Sequence, residues 1–491
     1  QTYASPSTEK LVAEFAEAYP ETVHVTYDAI SSDAALNAFE AKYGERALAD
    51  YDLSKADLII SFGADFLGDW QGGGYDGGYA KGRIPKDGKM SRHVQFESNM
   101  SLTGANADQR VPLTPAQQKV ALAHLYAKLN GTSVSGDLPE AAVRALDRAV
   151  SHIAKNRRRA VVLTGLDDVD AQSVALSINE MLGSEAFEPD APRYVRQGNS
   201  AAVRQLIADM QAGRVGALIM DGVNPAYSLP ASAGFAEAMQ QVDLSVSFST
   251  NWNETTELCT FTAAANHYLE SWGDAQFKKG HYSLMQPVIR ELFDTRQFQQ
   301  SLLVWMGSEQ TWHDYIAQTW EEGILAGGDW NQALHDGVYA PGGMGMADPE
   351  TAAAIATDKE TEAASPEGEV SSVVPIASSL QRLAAATGGG MSLILYSKVG
   401  MGDGRQAGNP WLQEFPDPIP RVSWDNYVTV SKADAADLGL VNEHVANGGL
   451  DGSYVNLTVN GATLQNVPVI IQPGQAPGTL GLSFGYGRQV G

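Results

Sequence analysis

Cysteine is the residue type that most restricts the chemistry of this chain, because the sequence contains one, Cys259. Iron–sulfur clusters are held by several thiolates, and covalent c-type haem needs a C-x-x-C-H motif. The 491 residues can therefore hold neither centre, and they can form no internal disulfide. Cys259 lies in an apolar setting, where a small core residue is its expected role. A reactive or metal-ligating thiol is the alternative.

Histidines and carboxylates gather in sequence around Trp272, namely His267, Glu270, Asp274 and His281. A metal site needs three or four ligands that converge and are themselves oriented by hydrogen bonds. Proximity along the chain does not establish this, so we expect ordinary polar residues, with a metal site as the alternative. No G-x-S-x-G string supports hydrolase chemistry. The sequence thus predicts no catalytic residue and no metal site.

The charge balance is strongly acidic, with 58 Asp and Glu against 33 Lys and Arg and a formal net charge of −25. This charge repels nucleic acid and attracts basic partners, such as many soluble electron carriers, or serves solubility. We expect no nucleic-acid partner. No apolar run approaches the roughly 18 residues that a bilayer crossing needs, so we expect no direct membrane span. A chain that opens at Gln1 is expected to have lost a leader or to start inside a longer one.

The elements that would position any site alternate between helix and strand up to about residue 325. Apolar residues recur at helical spacing after Ser5, and continuous apolar runs end at glycine, as in buried parallel strands. This rhythm is typical of doubly wound α/β units. Helices are predicted after Ser5 and at 34–43, 115–129, 139–154, 171–182 and 201–210, and strands at 23–27, 56–63, 159–165, 215–222 and 244–248.

The last hundred residues change to β character. Strands are predicted at 393–396, 427–430, 454–459 and 467–471, and Asn460-Gly461 is a strong hairpin signal. Between the two regions, periodicity fades and 358–369 is polar and rich in breakers. We therefore predict a first α/β lobe at 1–111, a second at 112–325, an irregular linker or insertion at 326–390 and a small β-barrel at 391–491.

Three further strings have more than one interpretation each. The Gly-rich loop 71–79 permits close backbone approach to a ligand or a neighbouring chain, or it is a mobile surface loop. We expect the run Arg157-Arg158-Arg159 to be a solvated face that precedes a strand, and the alternatives are docking of an acidic partner or pairing with neighbouring carboxylates. Four aromatic residues before the barrel pack against another subunit or fill an internal seam: Trp411, Phe415, Trp424 and Tyr427.

Several strings resemble, in the right order, the molybdopterin oxidoreductase superfamily. The strings are Gly222-Val223-Asn224-Pro225 with Pro230, Glu254-Thr255, residues 267–274, 283–287, 434–440 and 484–488. The resemblance implies an α/β fold class, with two doubly wound lobes followed by a C-terminal double-psi-like β-barrel. Each string is weak alone, and together they cover most of the chain.

Longer strings at 56–70, 95–112 and 408–418 resemble the molybdopterin-like subunit of alternative complex III, the bacterial quinol:cytochrome c oxidoreductase. That resemblance implies an exported subunit at the periplasmic face of the cytoplasmic membrane. It also implies partners, namely integral-membrane quinol-oxidising subunits and c-type cytochrome subunits. Iron–sulfur clusters would lie in a separate ferredoxin-like portion after Gly491, and no molybdenum is expected.

The residues at the family's cofactor positions indicate a lost cofactor. Catalytic relatives place a metal ligand before the strand that resembles 58–63, and here that neighbourhood is 27–32, with only Asp28 or Ser31 as an alternative ligand. Where those relatives show G-S-N-P after the strand, this chain has Gly63-Ala64-Asp65-Phe66. Asp65 would set a carboxylate against an anionic pterin dinucleotide.

The positions Gly63, Asp65, Gly222 and Asn224 are therefore interpreted as a vestigial pterin pocket that binds no cofactor. A tight turn alone accounts for the Gly222–Pro225 string. The resemblance then implies a cofactor-free scaffold that positions an iron–sulfur portion and partner subunits. The alternatives are a catalytic molybdopterin oxidoreductase of the polysulfide or thiosulfate reductase type, and a module that binds a small ligand in the cleft between the lobes.

Overall fold

The structure, a computed structural model, describes residues 1–86, 88–341, 375–445 and 450–491. The chain forms two compact units, each assembled from separate segments. Unit 1 comprises Gln1–Asp33, Asp190–Ser371 and Gln489–Gly491, and unit 2 comprises Ala34–Pro189 and Ser372–Arg488. The domain boundaries expected at 111, 325 and 390 stay predictions.

The elements are numbered in chain order. The helices are α1 Pro6–Ala18, α2 Asp33–Tyr43, α3 Asp76–Arg83, α4 Leu102–Ala105, α5 Pro115–Leu129, α6 Glu140–Ile153, α7 Val169–Leu182, α8 Ser200–Gln211, α9 Pro225–Ser228, α10 Phe235–Met239, α11 Glu254–Leu258, α12 Phe298–Trp305, α13 Trp312–Thr319, α14 Trp330–Asp336, α15 Ile376–Ala384, α16 Pro410–Glu414 and α17 Lys432–Asp437. The strands are β1 Leu48–Tyr51, β2 Leu58–Phe62, β3 Arg92–Glu97, β4 Gln109–Pro112, β5 Ala160–Thr164, β6 Phe187–Arg193, β7 Ala217–Asp221, β8 Leu244–Ser249, β9 Phe261–Ala264, β10 Gly273–Lys278, β11 His281–Met285, β12 Val338–Tyr339, β13 Ser392–Tyr396, β14 Val428–Val430, β15 Asn442–His444, β16 Leu450–Gly452, β17 Tyr454–Val459, β18 Ala462–Ile471 and β19 Thr479–Ser483.

Unit 2 contains a parallel sheet in the order β4-β3-β2-β5. Ile60 of β2 lies opposite Val94 of β3 on one side and Val162 of β5 on the other. Each residue of β2 and β5 is buried, as the continuous apolar runs predict. The core on this sheet includes residues from α5, α6, α7 and α15. The sheet's carboxyl edge carries the turn that begins at Gly63.

The C-terminal part of unit 2 forms a second, mixed sheet in the order β13-β19-β14-β18-β17. β13 runs parallel to β19, β14 runs parallel to β18, and β14 runs antiparallel to β19. The hairpin between β17 and β18 turns at Asn460 and Gly461, both with positive φ, which confirms the predicted hairpin. Over 375–445 and 450–491 the strands form an open sheet and a separate β15–β16 pair, so a closed barrel is not seen in these residues.

Unit 1 contains a parallel sheet in the order β7-β8-β9 and an antiparallel group in which β10 pairs with β6, β10 with β11, and β11 with β12. One core packs α8 and α10 against β7. A second core surrounds Trp320, which is fully buried, and includes Leu11 of α1. The carboxyl edge of β7 carries the turn that begins at Gly222.

The helices and strands follow the sequence predictions closely, with two corrections. Residues 23–27 form no strand, although their β-branched composition predicted one. The Gly-rich loop 71–79 contains the start of α3 and is not simply a mobile loop. In the predicted linker 326–390, α14 and α15 are helical, and the polar stretch 358–369 lies outside the described residues. Among the helices of the described ranges, none combines the length and hydropathy needed to cross a bilayer.

Candidate functional site

The four vestigial positions fall into two pairs, one at the end of a parallel strand in each unit. In unit 2, Gly63 follows β2 with φ +70°, and its N–H donates to the Phe96 carbonyl at 2.7 Å. A β-carbon at Gly63 would stand 2.8 Å from Oε1 of Gln118, on α5. The turn therefore requires glycine for both its backbone conformation and its close contact with a helix.

Asp65 and Phe66 are both engaged within unit 2. The Asp65 Oδ1 atom accepts the backbone N–H of Thr103 at 3.0 Å. Phe66 is fully buried, and its ring lies 5.4 Å from that of Tyr79 and 5.2 Å from that of His93. Burial lowers the pKa of His93 to about 4, so its imidazole is neutral at neutral pH. These residues have a structural role without any ligand.

In unit 1, the turn after β7 is built around the side chain of Asn224. Its Oδ1 atom accepts from both the backbone N–H and the hydroxyl of Thr255, at 3.0 and 2.8 Å. Its Nδ2 atom donates to Oε2 of Glu254 at 2.8 Å. Asn224 therefore ties the strand-end turn to the start of α11, and most of its hydrogen-bonding capacity is used within the protein.

Residues 1–3 lie against the same turn. The Gln1 side chain packs on Gly222, whose φ is +62°, and a β-carbon at Gly222 would be 2.8 Å from Gln1 Nε2. The Tyr3 hydroxyl is hydrogen-bonded to Asp221, and its ring stacks between His24 and Phe298, with centroids 6.3 and 6.1 Å away. Burial, then the Asp221 charge, raises the Tyr3 pKa well above its ordinary value. The chain itself covers this turn.

The alternative metal ligands Asp28 and Ser31 are occupied by other contacts. The Asp28 carboxylate accepts four hydrogen bonds, from the N–H and hydroxyl of Thr2 and from the N–H groups of Gln197 and Gly198, at 2.7–3.1 Å. Burial alone would raise the Asp28 pKa, but these hydrogen bonds hold it below its ordinary value. The Ser31 hydroxyl accepts the N–H of Asp33 at 3.0 Å.

The cluster around Trp272 does not converge on a point. The Asp274 carboxylate accepts from the hydroxyls of Ser5 and Ser7, at 2.5 and 2.6 Å, and from the Trp320 indole at 2.9 Å. Glu270 accepts the N–H groups of His267 and Leu292, at 3.0 and 3.2 Å. No group of three potential ligands that could hold a metal ion occurs within the described ranges.

The arginine run, Cys259 and the aromatic string make the contacts that follow. Arg158 and Arg159 form ion pairs with Glu185, and Arg159 also pairs with Asp57, so the basic run pairs with neighbouring carboxylates. Cys259 is half-buried, and its Sγ donates to the Thr255 carbonyl at 3.2 Å. Of the four aromatic residues in the 411–427 string, Tyr427 is buried and the other three are exposed: Trp411, Phe415 and Trp424.

Sequence reasoning missed the part played by residues 1–3 and by Asp274. The contacts of Asp274 with Trp320 and Ser5 span 46 and 269 positions, and those of Thr2 with Asp28 span 26. Local periodicity carries no information over such distances.

Comparison with known proteins supports the fold. No protein-family model matches the chain, and no curated protein matches it. Among solved structures, the chain resembles acetylene hydratase from Pelobacter acetylenicus, with a TM-score of 0.58 and 11% sequence identity over 97% of this chain and 81% of that chain. It also matches the formyltransferase/hydrolase complex from Methylorubrum extorquens in complex with methylofuran, with a TM-score of 0.40 and 15% identity over 66% of this chain and 91% of that chain, a likeness too low to carry weight. At this low identity the first match shows the fold alone, a mixed α/β fold that the chain shares with acetylene hydratase.

Proposed function

We propose that this chain is a cofactor-free scaffold in a membrane-associated respiratory quinol:cytochrome c oxidoreductase of the alternative complex III type. In this proposal the C-terminal region corresponds to the superfamily's double-psi barrel. Iron–sulfur clusters are carried by another portion of the subunit. The partners are quinol-oxidising membrane subunits and c-type cytochromes, at the periplasmic face of the membrane.

The closed turn at Gly222 is the observation that carries the proposal. In open α/β sheets, phosphate groups bind at the carboxyl ends of strands, where a glycine turn exposes backbone N–H groups. Here the Gln1 side chain covers Gly222, and the Gly222 N–H donates to the Phe248 carbonyl at 3.0 Å. Asn224 is held by Thr255 and Glu254. These residues do not fit a dinucleotide phosphate without displacing the chain's own groups.

The surroundings of the expected metal-ligand position support the same conclusion. Asp28 already accepts four protein hydrogen bonds, so ligation of a metal would leave their donors unsatisfied. The lone thiol, Cys259, donates a hydrogen bond to the Thr255 carbonyl. No step of molybdenum chemistry is therefore derived for this chain.

An exposed segment in unit 1, residues 288–293, offers a surface for a partner subunit, with four apolar side chains, two on either side of the exposed Arg290 and Glu291. Val288 is 75% exposed and Phe293 is 77% exposed, and Ile289 and Leu292 are exposed as well. The segment is held in place, because the N–H of Val288 donates to the Leu269 carbonyl at 2.7 Å and that of Leu292 donates to Glu270. A fixed apolar surface of this kind marks a protein-interaction site. We assign its occupant as an apolar groove on a partner subunit of the complex.

Metal analysis of the assembled complex tests the scaffold assignment. Molybdenum and tungsten should be substoichiometric with respect to this chain, while iron accompanies the cluster-bearing portion. A parallel Asn224→Ala variant should leave electron transfer per assembled complex unchanged and lower thermal stability. Stoichiometric molybdenum, or loss of turnover in a folded Asn224→Ala complex, would instead establish the catalytic alternative.

A surface variant tests the partner assignment separately. Val288→Ser with Phe293→Ser should reduce recovery of partner subunits when this chain is purified under mild conditions. The matched control is Val23→Ser, which alters another highly exposed valine of unit 1, 82% exposed. Equal recovery with both variants would show that 288–293 is not the docking surface.

A further inference from the structure

A cavity of about 480 Å³ lies in the C-terminal part of unit 2, away from all of the vestigial positions in that unit's parallel sheet. Its lining includes Pro410, Gln413, Trp424, Asp425, Asn426 and Tyr486. Two aromatic rings and a carboxylate thus share one small concave surface. The proposed scaffold function does not use this cavity.

The cavity wall is held in a fixed conformation. Trp424 has φ +68°, which is unusual for a bulky residue. Its backbone N–H donates to the Gln413 carbonyl at 2.8 Å. The Ser423 hydroxyl donates to the Glu414 carbonyl at 2.9 Å. Backbone strain that is maintained in this way is concentrated at functional sites in proteins. In this backbone conformation the Trp424 side chain is 50% exposed.

The polar groups that remain for a ligand are mainly acceptors. The Asn426 amide is bonded to both the carbonyl and the hydroxyl of Ser483, at 3.1 and 2.8 Å. The Gln413 Nε2 atom donates to the Ala407 carbonyl at 3.0 Å, so the Oε1 atom of Gln413 is the part of this amide that can accept from a ligand. The exposed Asp425 carboxylate forms no salt bridge within the part of the chain that the structure describes. A ligand with positive charge and N–H groups would complement this set.

The ring of Tyr486, which lines the cavity, already contacts one cation together with the ring of Tyr427. The Lys398 Nζ atom lies 3.8 Å from the centroid of the Tyr427 ring and 4.7 Å from that of Tyr486, and it donates to the Tyr486 hydroxyl at 3.0 Å. Burial lowers the pKa of Lys398 to about 8, although Asp417 and Asp425 oppose the shift. Of these two carboxylates Asp417 is buried and Asp425 is exposed, so Asp425 is the one that a second cation can reach.

We propose that this cavity binds an organic cation, a quaternary ammonium or guanidinium group, with Asp425 as its counter-ion and the rings of Trp424 and Tyr486 against its faces. Cations of this kind are attracted to the negative faces of tryptophan and tyrosine rings, and more strongly when a carboxylate is adjacent. The group comes from a free small molecule or from an arginine side chain, and the two sources share this chemistry.

Calorimetric titration of the folded chain with choline and with N-acetylarginine amide tests the proposal, with Trp fluorescence as a second readout. Dimethylbutanol, the neutral carbon isostere of choline, is the ligand control. At least one cation should bind saturably, and the neutral isostere should bind about tenfold more weakly or not at all. A preference for choline indicates a free quaternary ion, and a preference for the arginine derivative indicates a guanidinium source.

Asp425→Asn removes the charge with little change of shape and should weaken cation binding about tenfold. Glu414→Gln is the matched control, because it removes a neighbouring exposed carboxylate that does not line the cavity. Trp424→Leu should weaken binding independently of the charge, and melting temperatures establish that each variant is folded. Equal binding of choline and its isostere, no saturable binding of either cation, or equal effects of the Asp425 and Glu414 substitutions would overturn the proposal. None of these outcomes bears on the scaffold function, whose test is metal content.

Discussion

The side-chain amide of Gln1 lies directly on the α-carbon of Gly222, so close that a β-carbon at Gly222 would stand 2.8 Å from Gln1 Nε2. Gly222 also has φ +62°, which an L-residue with a side chain adopts only at a cost. The turn therefore requires glycine for its backbone conformation, and a larger residue would also push the end of the Gln1 side chain away. A retained Gly-x-Asn-Pro string is thus compatible with a turn that holds no cofactor.

The first prediction separates these two requirements. Gly222→Ala should lower the free energy of unfolding by about 1–2 kcal/mol for backbone strain and by about 0.5–1.5 kcal/mol more, because the end of the Gln1 side chain must leave its present rotamer. Gly213→Ala is the control, since Gly213 has φ +66° and open space around it. Urea unfolding of both variants measures the difference. If the two lose equal stability, Gln1 does not cover the turn in solution.

The second prediction concerns the pH dependence of stability through Asp28. Its pKa is lower in the folded protein than its ordinary value of 3.8, so its contribution to stability is present above that value and is lost as the pH falls through the folded pKa. Asp28→Asn should therefore have a free energy of unfolding about 1–3 kcal/mol lower than that of the parent chain at pH 7. This difference, the stability gap, should disappear at low pH.

Urea titrations between pH 7 and pH 2 measure this difference in stability, because the folded pKa of Asp28 lies below 3.8. Asp243→Asn, at an exposed carboxylate in the same unit, is the control and should show little difference at any pH. A gap for Asp28→Asn that stays constant across the range would mean that the carboxylate does not hold the hydrogen bonds described.

The sequence predicted local elements well and long-range contacts poorly. The helix after Ser5 begins where its serine cap predicts, since the Ser5 hydroxyl accepts the Thr8 N–H, and the Asn460-Gly461 turn joins β17 to β18. Both depend on neighbouring residues. Residues 23–27 have strand composition but find no pairing partner, because strand formation depends on an adjacent edge that composition does not reveal.

At the candidate sites, too, the local turns were predicted and the long-range contacts were not. Gly63 and Gly222 were located at the ends of strands from their sequence patterns, and the structure places them there. The covering of Gly222 by Gln1, and the packing of Lys398 against Tyr427 and Tyr486, join residues that are distant in sequence. No periodicity or spacing rule brings such residues together. The cavity beside Trp424 was likewise anticipated only as an aromatic string.

The third prediction concerns Asp274, whose buried carboxylate joins α1 to β10 and to Trp320. Asp274→Ala should destabilise the chain by about 3–5 kcal/mol, because several buried donors lose their shared acceptor. Asp274→Asn retains the shape and should cost less. Asp294→Ala, at an exposed carboxylate of unit 1, should have an effect within about 0.5 kcal/mol. Thermal unfolding followed by tryptophan fluorescence measures the series, and an Asp274→Ala loss as small as the control's would contradict the buried role.

The fourth prediction concerns the reactivity of Cys259. Burial raises the pKa of its thiol, and the Sγ–H group donates to the Thr255 carbonyl at 3.2 Å, so the reactive thiolate is scarce at pH 8. Alkylation by iodoacetamide in the folded chain should be at least about tenfold slower than that of glutathione, and it should accelerate in urea. Mass spectrometry reports this without interference from other sites, since the chain has a single cysteine. Rapid labelling of the folded chain would instead indicate an accessible, activated thiol. Cys259 would then be a reactive residue and not a small core residue.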